Sequence, residues 1–174
     1  FDGCCKHSTV TPDGRHQSGA RGGINVRFRD QDIVFADGAR GQNFEIPTAN
    51  PLNYFHVISR ADELPELTID GKLFLPPSDA RRSSGKFPLV MVVPGSLGVA
   101  PSHVAALVAD GFAAFVLDSF GARDVTSTVA NQTQFSFASS AYDVLAAWKV
   151  LAAHPDIDAS RIGAQGHSRG GSAV

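Results

Sequence analysis

The residues best suited to chemistry stand close together. Gly166-His167-Ser168-Arg169-Gly170 fits the pattern G-x-S-x-G. A serine hydroxyl is a poor nucleophile until a base takes its proton and fixed N–H groups receive the charge that grows on the carbonyl oxygen. A serine lifted above a sheet edge by a tight strand-to-helix turn meets the geometric half of that need. The flanks suit such a turn. Arg161-Ile162-Gly163-Ala164-Gln165 reads as a short buried strand, and Gly171-Ser172-Ala173-Val174 is small enough to open a helix. Gly166 and Gly170 flank the serine because side chains there would collide with the neighbouring strand and helix. The competing reading is a Gly/Ser-rich loop.

Other reactive side chains are scattered. Histidines stand at 7, 16, 56, 103, 154 and 167, with no spacing that suggests a metal site, and none is expected. Cys4 and Cys5 are adjacent, bridge only with strain and have no second pair to make a zinc site, so they read as two free thiols. Arg123 lies just past a predicted strand, between Asp118 and Asp124. Its planar fork suits a substrate carboxylate, or else a local salt bridge. The two aspartates read as loop caps or partners of Arg123. Residues 125–137 are polar with two phenylalanines, Phe135 and Phe137, and form either one wall of a pocket or a surface excursion.

The elements that would position these groups are legible from residue 87 onward. Leu89–Val93 is a continuous apolar run, as in a strand buried on both faces of a parallel sheet. It breaks at Pro94-Gly95-Ser96-Leu97-Gly98. His103–Ala109 has helical composition, with Pro101 and Ser102 suited to its first turn and Gly111 ending it. Phe112–Leu117 reads as a second buried strand. Ser140–Ala153 reads as a helix, with Ser140 and Asp143 as a capping pair and Leu145, Trp148 and Ala152, joined by Val144 and Leu151, as its apolar stripe. Pro155 stops it, Asp156–Ser160 turns, and Ile162 begins the third strand. Strand, helix, strand, helix, strand implies a parallel sheet with helices on both faces. Sites in such sheets form beyond the carboxyl ends of the strands, where Pro94–Gly98, Asp118–Arg123 and Gly166–Gly170 all lie.

Upstream the pattern is weaker. Residues 1–23 read as loop or disorder. Ile24–Phe28 and Ile33–Phe35 suggest a short strand pair, and 36–53 reads as irregular. Residues 1–53 are therefore expected to be an N-terminal extension and 54–174 the core domain. Tyr54–Ser59 is β-rich, and Asp70-Gly71 between Leu67–Ile69 and Lys72–Leu75 reads as a hairpin turn. The totals are those of an ordinary globular domain: 174 residues, net charge -2, 43% hydrophobic and 18% charged. No basic stripe suggests nucleic acid, and no apolar run approaches a membrane span. Nor is there a charged-then-apolar leader, although the chain starts at Phe1 and not at Met, so compartment stays open, with the cytoplasm slightly favoured.

PLVMVVPGSLGV, GFAAFVLDSFGARDV and DIDASRIGAQGHSRGG, taken in that order, resemble the dienelactone hydrolase-like branch of the α/β-hydrolase superfamily over about residues 64–174. The resemblance implies a mostly parallel sheet with helices on both faces, incomplete at the C-terminus. It implies Ser168 as the nucleophile toward a small-molecule ester or lactone, with no cofactor. It also implies the backbone N–H of Arg169 and, after Pro94-Gly95, that of Ser96 as oxyanion-hole donors. The family's acid and histidine follow the nucleophile in chain order, so none of the six histidines is the expected base, and the chain is expected to be a fragment without turnover of its own. The family's first loop often starts with His, and dienelactone hydrolase proper uses a cysteine nucleophile. Pro94 and Ser168 stand in those places, which favours a serine esterase or lactonase. Two alternatives stay open: a non-catalytic binding module of this fold, and a serine peptidase of the prolyl-oligopeptidase type.

Overall fold

A computed structural model describes residues 27–77, 85–99 and 101–174. Cys4, Cys5, His7, His16 and the expected strand at 24–26 lie outside the described residues. The five strands are β1 (Gln42–Ala49), β2 (Glu66–Phe74), β3 (Phe87–Val93), β4 (Ala113–Asp118) and β5 (Ile157–Gly166). They form one sheet in the order β1-β2-β4-β3-β5. β1–β2 and β2–β4 pair antiparallel; β3 pairs parallel with β4 on one side and β5 on the other. The helices are α1 (Tyr54–Ser59), α2 (Val104–Ala109) and α3 (Phe137–Ala152).

The period-two alternation of the strands divides the core into two layers. Ile69, Leu73, Leu89, Met91, Phe115 and Leu117 pack with Val144, Ala147 and Leu151 of α3 on one face. Phe74, Ala114 and Val116 pack with Val104 and Val108 of α2, and with Phe28 and Ala39, on the other. Helices thus cover both faces, as the βαβαβ pattern requires. The chain leaves β3 toward β4 and returns through α3 to β5 on the opposite side. The order therefore reverses at β3, and a crevice opens at its carboxyl end.

Several expectations are corrected. Tyr54–Ser59 is helical: the Asn53 side chain accepts the His56 N–H at 3.0 Å, and this cap outweighs the β-rich composition. The stretch 36–53, expected to be irregular, contains β1, which belongs to the same sheet as the rest of the chain. Pro47 is tolerated because β1 is an edge strand. Asp70-Gly71 is no turn but the middle of β2. Gly71 faces Phe44 across the β1 pairing, and a Cβ on Gly71 would stand 2.1 Å from the Phe115 ring. Glycine serves there as room for an aromatic ring. Ile33–Phe35 forms no strand; Val34 makes a single bridge to Arg40.

The α3 start and face also differ. Its N-cap is Ser136, whose hydroxyl accepts the Ser139 N–H at 2.9 Å, so the helix begins before Ser140. Its buried face runs through Ser140, Asp143, Val144, Ala147 and Leu151, while Leu145 and Trp148 are 53% and 45% exposed. β5 starts at Ile157, earlier than Ile162, and is mostly exposed, although a strand buried on both sides was expected. A Cβ on Gly163 would meet nothing within 4 Å.

Candidate active site

The turn after β5 is as tight as the sequence pattern requires. Ser168 holds φ +53°, one of two non-glycine residues with positive φ among the described residues. This left-handed backbone is strained for a side-chain-bearing residue and persists only where the surroundings enforce it. Enforcement comes from close backbone contact. A Cβ on Gly166 would lie 2.2 Å from the Gly170 carbonyl group, and one on Gly170 would lie 2.4 Å from the Val93 carbonyl oxygen. Ser168 itself is exposed at the sheet edge. The following residues, Ser168–Ser172, form a 3₁₀ turn. The N–H groups that open such a turn have no acceptor within it, and that of Gly170 is taken by the His167 carbonyl at 2.9 Å.

The loop after β3 meets the same point. β3 and β5 pair with Val93 opposite Gly166. A Cβ on Gly95 would stand 2.9 Å from the His167 carbonyl oxygen, so only glycine allows this approach. The fold therefore brings Ser96, Gly166, Ser168, Arg169 and Gly170 to one place.

Residues 125–137 close against both pieces instead of making a surface excursion. The Ser96 carbonyl accepts the Thr128 N–H at 2.8 Å and the Ser127 hydroxyl at 3.0 Å. Gly98, at φ +90°, packs so tightly that a Cβ would lie 2.6 Å from the Thr126 carbonyl oxygen. Arg169 is 3% exposed. Its guanidinium lies between the Phe135 and Phe137 rings, at 4.2 and 4.3 Å from their centroids. It donates to the carbonyls of Gln132 (2.9 Å), Phe135 (2.7 Å) and Ser136 (3.1 Å), while Nε is buried without a partner. Burial, and then the nearby Arg123 charge, pull its pKa below the ordinary arginine value. The side chain thus packs against residues 132–137 and ties them to the turn after β5.

Arg123 is held by protein groups. Its fork holds Asp143 through Nη1 at 2.7 Å and Nη2 at 3.1 Å, and the remaining N–H groups reach Asn50 Oδ1 and the carbonyls of Ser119 and Ala49. Of the two roles open to Arg123, these contacts are those of an ion pair within the fold. Asp143 is fully buried and also accepts the Thr48 hydroxyl at 2.8 Å. Burial pushes its carboxyl up from the ordinary range, while Arg123 and Thr48 hold it down. Asp118 caps its loop, its Oδ1 accepting the N–H groups of Phe120 and Gly121 at 3.0 Å each. Sequence reasoning missed Asp143 as the partner of Arg123, because the helical start it suggested for Asp143 is local and the ion pair is not.

Among the described residues no histidine is hydrogen-bonded to Ser168, and no group of acidic, histidine and cysteine side chains could hold a metal ion. A cavity of about 360 Å³ opens between Phe28, Leu97, Asp118, Phe120 and Val125, and neither Ser96, Ser168 nor Arg169 lines it. No helix of the described residues is long and apolar enough to cross a membrane.

No family model and no curated protein matches the sequence. Solved structures do. One is DcsB in complex with its substrate analogue, with TM-score 0.52 and 20% identity over 75% of this chain and 38% of that one. Another is an acetyl xylan esterase from Paenibacillus sp. R4, with TM-score 0.52 and 19% identity over 82% of this chain and 46% of that one. A third is a putative dienelactone hydrolase from Klebsiella pneumoniae, with TM-score 0.50 and 18% identity over 75% of this chain and 52% of that one. The chain thus has the α/β-hydrolase fold and spans between 38% and 52% of these three proteins' lengths.

Proposed function

We propose that this chain is the nucleophile-bearing part of a serine hydrolase that cleaves a carboxylic ester or lactone through an acyl-enzyme. The observation that carries the reading is Ser168 at φ +53° just past β5, wedged by Gly166 and Gly170 and adjoining His167, whose carbonyl meets Gly95. A merely Gly/Ser-rich loop has no reason to hold a serine in that strained state.

In this reading Ser168 Oγ attacks the carbonyl carbon as its proton passes to a histidine. The carbonyl π pair moves onto oxygen, which the N–H groups of Arg169 and Ser96 receive. Collapse breaks the bond to the alcohol oxygen, which takes the proton from the imidazolium. Water then repeats the sequence on the acyl-serine. The acid and histidine are assigned to residues of the protein beyond Val174. Two observations support that assignment: no histidine among the described residues bonds Ser168, and the chain spans 38% to 52% of the structures it resembles.

The test uses the full-length protein with p-nitrophenyl acetate and a fluorophosphonate probe. Labelling at Ser168 together with turnover that Ser168→Ala lowers by at least about 10³-fold is the expected result. A protein that neither labels nor turns over fits the non-catalytic binding module instead. Labelling at another serine overturns the assignment of Ser168.

A further inference from the structure

Ser96 and Arg169 lie far apart in sequence, so the spacing of their N–H groups depends on tertiary contacts alone. Pairing of β3 with β5 brings the two loops together, but an oxyanion hole works only when both donors stand about 2.7–3.1 Å from the developing charge. One residue touches both. Gln132 Nε2 donates to Ser96 Oγ at 2.9 Å, and Gln132 Oε1 lies 3.1 Å from the same hydroxyl, so the amide both gives to and takes from it. The Gln132 carbonyl accepts Arg169 Nη1 at 2.9 Å. Its neighbours keep this segment from drifting. Thr128 Oγ1 reaches Gln132 Oε1 at 3.4 Å, and Gln134 Nε2 ties the Ser127 carbonyl at 2.8 Å.

We propose that Gln132 is a positioning residue of the oxyanion hole, its side chain holding Ser96 and its carbonyl holding Arg169. The proposal rests on the hydrolase reading above. Gln132 is exposed, so water competes for its hydrogen bonds and they contribute little to folding. Its effect falls on the transition state, where a misplacement of about 1 Å costs as much as about 10²-fold in rate.

The experiment compares Gln132→Ala, Ser96→Ala, the double variant and Ser168→Ala in the full-length protein. Readouts are kcat and KM on p-nitrophenyl acetate, the second-order rate of fluorophosphonate labelling, and the melting temperature. Gln132→Ala is expected to lower kcat and labelling about tenfold, leaving KM and melting nearly unchanged. Ser96→Ala keeps its backbone N–H but loses the hydroxyl and should lose about as much. The double variant should be no slower than either single one, because both remove the same contact. Unchanged kcat in Gln132→Ala, a loss seen only in KM or melting, or losses that multiply to about a hundredfold would each overturn the proposal. Should Ser168→Ala stay active, or the native protein fail to label, the hydrolase reading falls and takes the role of Gln132 with it. Should Ser168→Ala be dead while Gln132→Ala is fully active, only the Gln132 proposal falls.

Discussion

Arg123 and Asp143 show what a single residue pair can hold together. The pair is buried, bidentate and joined to Thr48, Asn50 and the Ala49 carbonyl, so it ties the end of β1 to α3 and to the loop after β4. Removing one partner of such a pair strands the other charge without water, which costs about 3–5 kcal/mol. Asp143→Asn is accordingly expected to lower unfolding free energy by about 3 kcal/mol or more, read from urea titration; a loss below about 1 kcal/mol would mean that water reaches Arg123. Lys72 gives a second residue-scale outcome. It is 2% exposed, its ammonium donates to the Arg29 carbonyl at 3.0 Å and to Asn43 Oδ1, and it lies over the Phe28 ring. Burial lowers its pKa from the ordinary 10.5. Between that lowered value and 10.5 the unfolded chain binds more protons than the folded one, so stability rises with pH across the window. Relative to Lys72→Met, the urea midpoint of the native protein should therefore climb as pH rises through it; parallel curves would contradict this. The tight turn at Gly166, Ser168 and Gly170 was legible in the sequence because such a turn is a local device. The partners of Arg123 were not, since nothing local links Asn50, Thr48 and Asp143.

At the scale of elements, the parallel half of the sheet was legible and the antiparallel half was not. β3 and β4 are unbroken apolar runs, and a strand buried on both faces leaves such a mark. β1 and β2 carry Pro47, Asp70 and Gly71, which in isolation signal turns. The decisive facts are tertiary: β1 is an edge strand, and the Phe115 ring occupies the space beside Gly71. Gly71→Ala should therefore destabilise the protein by about 1–3 kcal/mol, because Phe115 must leave its rotamer. A melting temperature equal to that of the native protein would show that the ring can shift freely. The α3 register was misjudged for a related reason. Leu145 and Trp148 form an apolar stripe on paper, but the helix turns Asp143, Ala147 and Leu151 inward because the buried ion pair fixes its rotation.

For the whole molecule, residues 27–53 are bound into the domain by β1, by the Phe28 ring against Lys72, and by the hydroxyls of Ser136 and Ser139, which donate to the Pro51 carbonyl, Ser139 also to Asn50 Oδ1. A boundary at residue 53 would cut through all of these. Deletion of residues 1–53 is expected to abolish cooperative thermal unfolding, followed by near-ultraviolet circular dichroism; a variant that still melted sharply would support a boundary at residue 53. The sheet order has one more consequence, which concerns the ribosome. β4 ends at residue 118 and β5 begins at residue 157, yet β5 is the strand that flanks β3 on its far side. During synthesis, Leu89-Val90-Met91-Val92-Val93 therefore waits as an unpaired strand edge while about 40 further residues are made. At about 5–20 residues per second that is roughly 2–8 s. Over that interval the nascent chain displays an apolar β-edge, the kind of surface that holdase chaperones bind and that pairs with other unfinished chains on a crowded polysome.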